Sequence, residues 1–172
     1  MSDPVPFAIV DVHYFDSRAR AACVVAQSRN DAAPSEEHLV LVPDVAPYVP
    51  GRFFERELPC ILAVLPALRS DVRAIVIDGY VQLDAAGTSG LGAHLFERLS
   101  GCVPVIGAAK TAYGDSTFAS AVLRGSSARP LYVTAAGIER DEAARLVKSL
   151  HGPHRIPTLL ERVDHLARDI PP

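Results

Sequence analysis

Two short apolar runs that read as core strands each carry an aspartate. Asp11 lies inside Phe7-Ala8-Ile9-Val10-Asp11-Val12, and Asp78 closes Ala74-Ile75-Val76-Ile77. Moving an ionised carboxylate from water into an apolar interior is strongly unfavourable unless its charge is paired. A fold that keeps both acids must bring them to a place where their charge is used, most simply on a divalent cation, whose preferred ligands are oxygens. The pair marks the chain as a candidate metal-dependent enzyme.

The surrounding pattern says what frames these strands. Residues 6–13, 20–28 and 37–43 are β-rich runs separated by polar turns, Asp16-Ser17-Arg18 and then Ser28 to Ser35, and predict a three-stranded antiparallel meander. After Pro50-Gly51 the period becomes helical: Phe53, Phe54, Leu58, Ile61, Leu62, Val64 and Leu65 form an apolar stripe over 53–68, with Pro59 and Pro66 marking a kink or an early stop. A strand at 74–78, a helix at 89–99, a strand at 103–107, strands near 118–123 and 130–135, and helices near 139–150 and 157–168 follow. A meander followed by strand–helix units suggests an α/β mixed sheet with helices on both faces. The strand at 74–78 then runs parallel to the first, reached by a crossover through helix 53–68. Asp11 and Asp78 thereby come from neighbouring strands, the layout of a ribonuclease H-like fold, in which such acids hold catalytic magnesium.

A chain of 172 residues, 49% of them hydrophobic, can bury one sizeable core, and residues 1–172 read as a single domain. The formal charge of −3 provides no global attraction to nucleic acid, so a polyanion would have to be held by a local basic patch or through metal. Cys23, Cys60 and Cys102 are widely spaced in apolar segments and read as buried free thiols of a reducing cytoplasm. The N-terminus lacks a basic segment leading into an apolar stretch, and no apolar run approaches a membrane span. The expectation is a cytoplasmic monomer with no membrane partner.

Six stretches, in order, resemble the endonuclease V family, nucleases of the ribonuclease H-like group that cut nucleic acid near deaminated adenine. They are Ile9-Val10-Asp11-Val12; Pro47-Tyr48-Val49-Pro50-Gly51 with Phe53-Phe54-Glu55-Arg56-Glu57; Val76-Ile77-Asp78-Gly79; Gly90-Leu91-Gly92-Ala93-His94-Leu95; Pro104-Val105-Ile106-Gly107-Ala108-Ala109-Lys110-Thr111; and Pro130-Leu131-Tyr132-Val133-Thr134. Each is weak alone, but six in one order cover nearly the whole chain. The resemblance implies a magnesium-dependent endonuclease acting on DNA or RNA, with manganese able to substitute. It implies that Asp11, Glu57 and Asp78 hold the metal, with Asp164, on the helix after Arg155-Ile156-Pro157, as a fourth member beside His165. Lys110 matches the family's lysine that contacts phosphate near the cut, and the small residues Gly107-Ala108-Ala109 before it would let a phosphate backbone come close. Pro47, Tyr48, Val49 and Pro50 match the wedge that pries strands apart, with Tyr48 offering a stacking face; the alternative is a rigid turn with Tyr48 as a hydrophobic staple. Gly51, Gly79, Tyr80 and Val81 fall where the family forms the pocket for a flipped base.

Departures from the family pattern concentrate after Asp78. Where the family reads Asp-Gly-His-Gly and then a His-Pro-Arg-like stretch, this chain reads Asp78-Gly79-Tyr80-Val81-Gln82-Leu83-Asp84, without either histidine. Val81 in place of a glycine would crowd a purine, and Asp84 lies near the second histidine's position. Two further readings therefore stay open: a non-catalytic nucleic-acid-binding module, and a ribonuclease H-like nuclease for branched or unmodified substrates. Elsewhere, His13 shares a strand face with Asp11, His38 and His94 read as surface and helix-packing residues, and Lys148, His151, His154 and Arg155 read as a solvated helix end or a phosphate contact.

Overall fold

In the computed structural model, which describes residues 4–168, the acids are framed by one mixed sheet. β1 (Phe7–Phe15) turns back through Asp16-Ser17 into β2 (Arg18–Ala26), and β3 (Glu36–Val42) completes the antiparallel meander. The two-residue turn needs a residue in the left-handed region, and Asp16, at φ 55°, is of a type that tolerates it. α1 (Phe53–Val64) contains Pro59 and ends where Pro66 opens a single 3₁₀ turn, Leu65–Ala67, so the early stop falls at the second proline. β4 (Ile75–Ile77) then pairs parallel with β1, and after α2 (Leu91–Arg98) β5 (Val105–Ala109) pairs parallel with β4.

The far end differs from the pattern that precedes it. β6 (Ser120–Val122) and β7 (Leu131–Ala136) form a hairpin whose second strand lies antiparallel to β5, giving the order β3-β2-β1-β4-β5-β7-β6. α3 (Arg140–Ser149) and α4 (Thr158–Arg168) follow. The fold is α/β and ribonuclease H-like. Strand alternation sorts the core into two layers. Phe7 and Ile9 face one way, with Leu146 and Val147 of α3 and Leu159, Leu160 and Val163 of α4. Ala8 and Val10 face the other, with Leu58, Ile61 and Val64 of α1 and Leu91 and Leu95 of α2. Each of these buried Val, Leu, Ile and Phe side chains contributes roughly 1.5–3 kcal/mol by leaving water. The layers grip α1 and α4 on opposite faces of β1, and both helices carry an acid predicted for the site.

A glycine fixes how closely the segment after β4 lies on β5. A Cβ on Gly107 would sit 2.4 Å from the Gly79 carbonyl oxygen and 2.7 Å from Thr134 Oγ1. The smallness of this position thus serves an internal close approach; Gly107, Ala108 and Ala109 are all buried and offer no surface to a phosphate backbone, contrary to the sequence expectation. Gly107→Ala should destabilise the protein by about 1–3 kcal/mol through overpacking, lowering the melting temperature by roughly 2–4 °C per kcal/mol. An unchanged urea midpoint would show that the Gly79 segment yields freely.

Candidate active site

Register delivers the two strand acids together. Val10 pairs with Ile77 across the parallel β1–β4 ladder, and the next residue along each chain is Asp11 and Asp78. Gly107 pairs with Ile77 on the other side, and three residues on, just past the end of β5, Lys110 Nζ lies 3.0 Å from Asp78 Oδ2. Glu57 approaches from α1 and is only 6% exposed, while Asp164 approaches from α4 and pairs with Arg168 Nε at 2.9 Å.

The acids feel one another. Burial, then the charge of Asp78, pushes the Asp11 carboxyl up to about 7, with Asp164 adding to the rise. Burial, then Asp11 and Asp78, pushes Glu57 up to about 8. Partial burial works against the charge of Asp164, but Arg168 and Lys110 hold it below the usual carboxylate range. Burial likewise opposes the charge on Lys110, yet Asp78, Asp11 and Asp164 raise its ammonium above the ordinary lysine value. Excess negative charge at the end of the sheet is thus met in part by protons and in part by Lys110 and Arg168.

A cavity of about 280 Å³ opens beside this cluster, sharing Gly79, the residue after Asp78. Tyr48, Gly51, Phe53, Phe54, Tyr80 and Tyr113 are among its walls, which are mostly apolar. The Tyr80 hydroxyl donates 2.7 Å to the Thr111 carbonyl oxygen, and its ring meets those of Tyr113 and Phe118 at an angle. Tyr48 is 58% exposed at the rim, within a stretch from Pro47 to Gly51 whose residues are all exposed.

Residues 5–165 match the family model described as Endonuclease V. The chain belongs to the endonuclease V family. The endonuclease V of Streptomyces avermitilis is 32% identical over 182 residues, covering 92% of this chain and 77% of that protein. Its crystal structure superposes with a TM-score of 0.74 over 94% of this chain and 79% of that one. The Xylella fastidiosa endonuclease V is 33% identical over 129 residues, 68% of this chain and 53% of that protein, so the chain spans about half the length of this relative. A Ciona intestinalis endonuclease V, crystallised with a 23mer DNA containing an inosine followed by a ribo-adenosine, matches with a TM-score of 0.74 at 20% identity over 94% of this chain and 83% of that one, a likeness of fold.

Within this endonuclease V frame, most of the predicted site residues fall in one region. Asp11, Glu57, Asp78, Lys110 and Asp164 are electrostatically linked, and Tyr48, Gly51, Gly79 and Tyr80 line the cavity. Val81 is a correction. It is 3% exposed and packs into the core against Ile77, with its Cγ2 lying over Gly92, where a Cβ would come within 2.6 Å. Its N–H donates 2.8 Å to Thr134 Oγ1, which turns the side chain inward, away from the walls where a flipped purine would be crowded. Asp84 accepts from the Thr88 N–H at 3.0 Å and hydroxyl at 2.6 Å, closing a turn apart from the acid cluster.

Other assignments also change. Cys23 and Cys60 are buried, but Cys102, at the turn before β5, is exposed. His38 is a partner of Glu36 at 2.8 Å, while His94 does pack, stacked on Phe54 at 3.8 Å. The Arg155 guanidinium donates to the carbonyls of Lys110, Pro130 and Arg129, so it props the Lys110 backbone from behind. The His151 ring pairs with Thr158 Oγ1 at 2.9 Å. The carbonyls of Lys148, Leu150, Gly152, His154 and Arg155 converge on Arg124. Tyr113 and Arg124 were missed because contacts distant in sequence give them their roles, whereas Arg168, four residues after Asp164 on α4, could have been found as an i,i+4 partner.

The upward shifts give a sign to pH dependence. The ordinary values of 3.8 for Asp11 and 4.5 for Glu57 describe the unfolded chain, so the fold binds protons more tightly between those values and about 7 and 8. Metal-free stability from these groups is fully present below the unfolded values and is lost as pH rises through the folded ones. The melting temperature of chelator-treated protein should fall from about pH 5 to about pH 8.5, and Mg²⁺ should restore it at the upper pH only, where the carboxylates are free of protons. Asp11→Asn should flatten the slope. A melting temperature indifferent to both pH and Mg²⁺ would contradict this electrostatic picture.

Proposed function

We propose that the chain acts as a single-domain, monomeric, metal-dependent endonuclease that cuts a phosphodiester bond in nucleic acid near deaminated adenine. The observation that carries the reading is the convergence of four carboxylates from β1, α1, α4 and the end of β4, with Lys110 among them, next to an aromatic cavity. The donor set suits a hard cation such as Mg²⁺, with Mn²⁺ as a substitute: it offers carboxylate oxygens, and their mutual repulsion is strong enough to retain protons near neutrality. Among the described residues no three acid, histidine or cysteine side chains are placed to hold an ion as they stand, and Lys110 occupies one oxygen of Asp78. Asp78 would have to give up Lys110 in order to hold a cation, and Lys110 would then be free to meet substrate.

Asp11, Asp78 and Glu57 would hold the ion, with Asp164 completing the set from α4. When bound, the ion supplies Lewis-acid polarisation of the phosphate and a more acidic water. Lys110, its backbone braced by Arg155, meets the phosphate as a point charge. Tyr48 stacks on exposed bases as the duplex opens, and the Tyr80–Tyr113 cavity receives the displaced base. Inosine as that base is supported by family membership and by the DNA present in the Ciona relative's crystal. A second reading, cutting of unmodified or branched substrates, is favoured by one feature: Tyr80 spends its hydroxyl on the Thr111 carbonyl, leaving apolar walls that stack on any base. A purely binding role is opposed by the retention of the mutually repelling acids.

Single- and double-stranded DNA and RNA, each with and without one inosine, distinguish these readings when incubated with Mg²⁺ or Mn²⁺. Nicking should require the metal and vanish with chelator, and Asp11→Asn or Asp78→Asn should each reduce it by more than the roughly 10–100-fold typical of losing an outer partner of a metal site. Activity surviving both substitutions would remove the assignment; binding without cutting in either metal would leave a binding module. Tyr48→Ala should remove roughly 1–3 kcal/mol of stacking per base and slow duplex cutting more than single-strand cutting. Equal losses would reduce Tyr48 to a supporting role.

A further inference from the structure

One polar contact beside the acids has no part in the scheme above. Tyr14 lies on β1 three residues beyond Asp11, and strand alternation places it on the opposite face, with Ala8 and Val10, toward α1. There its hydroxyl reaches 3.5 Å from Glu57 Oε2. The Arg56 guanidinium carbon lies 3.8 Å from the centre of the Tyr14 ring. Arg56 Nε is buried with no hydrogen-bond partner among the described residues, so the aromatic face is the contact that holds this part of the cation.

The geometry points to Tyr14 as a positioning residue for Glu57: its hydroxyl holds one carboxylate oxygen and leaves the other for a divalent cation. The inference rests on reading Glu57 as a metal ligand. Carboxylates that bind metals are commonly oriented by hydrogen bonds from such outer partners. A length of 3.5 Å is long for an O–H donor. The bond therefore acts as a guide that a small rotation of Glu57 would tighten, while Arg56 stacked on the ring keeps the donor in place. Arg56 and Glu57 are consecutive on α1, so one helix turn sets both contacts with one aromatic side chain.

The test is Mn²⁺ titration of the full chain, with free Mn²⁺ read by electron paramagnetic resonance, for wild type, Tyr14→Phe, Glu57→Gln and the double variant. Tyr14→Phe keeps the ring under Arg56 and deletes only the donor. It should raise the Mn²⁺ concentration for half-saturation roughly tenfold with circular dichroism and urea midpoint close to wild type. Cutting at saturating Mn²⁺ should recover most of its kcat, because the defect lies in metal affinity. In the Glu57→Gln background the same change should add nothing. Wild-type half-saturation in Tyr14→Phe, or an equal loss in the Glu57→Gln background, would overturn the positioning role while leaving the metal reading intact. Absence of Mn²⁺ binding by wild type would overturn both.

Discussion

Mutual repulsion among carboxylates gathered at one end of the sheet is the constraint on which the rest of the structure depends. Asp11 and Asp78 leave adjacent parallel strands at the same level, Glu57 adds a nearly buried charge from one layer and Asp164 a fourth from the other. Left alone, such a group would be expelled to water or neutralised. Here it persists because packing over-determines each position: β1 and β4 lie at the centre of the sheet, and α1 and α4 are clamped to opposite faces by separate apolar cores. Lys110 and Arg168 offset part of the charge, and protons on Asp11 and Glu57 offset more. On the proposed reading a cation would take the place of those protons.

The same packing ties the cavity to the acids. Gly107 lets the Gly79 carbonyl settle against β5, Thr134 receives the Val81 N–H, and Val81 then locks over Gly92 at the start of α2. The segment after Asp78 is thereby pinned at its buried side while Tyr80 turns to the cavity. The cavity wall at Tyr80 and the carboxylate of Asp78 are separated by a single residue, Gly79, so on the proposed reading a substrate seated in the cavity would bring its backbone near the acids and Lys110.

Much of this was legible in the sequence because it follows from short-range pattern. Period-two runs marked the meander, the Phe53–Leu65 stripe marked α1, and charges inside apolar strands marked Asp11 and Asp78. Glu57, Lys110 and Asp164 required the family resemblance, since an acid or a lysine on an amphipathic element looks like any solvated residue. Val81 misled because the family pattern reports what occupies a position and says nothing of which way the side chain turns; that was decided by Thr134, fifty-three residues on in sequence, and by the space over Gly92. The antiparallel entry of β7 beside β5, the Arg155 brace behind Lys110, and the Tyr14–Glu57 contact all join residues far apart in the chain. No local window contains both partners of such a contact.

The central claim, that the carboxylates form one cation site, is tested most directly by anomalous diffraction from crystals of the protein grown with Mn²⁺. The expected result is an anomalous peak touching oxygens of both Asp11 and Asp78, with Glu57 or Asp164 in its coordination sphere and Lys110 displaced from Asp78. A well-ordered site without manganese, its Lys110–Asp78 pair unbroken at saturating Mn²⁺, would contradict it.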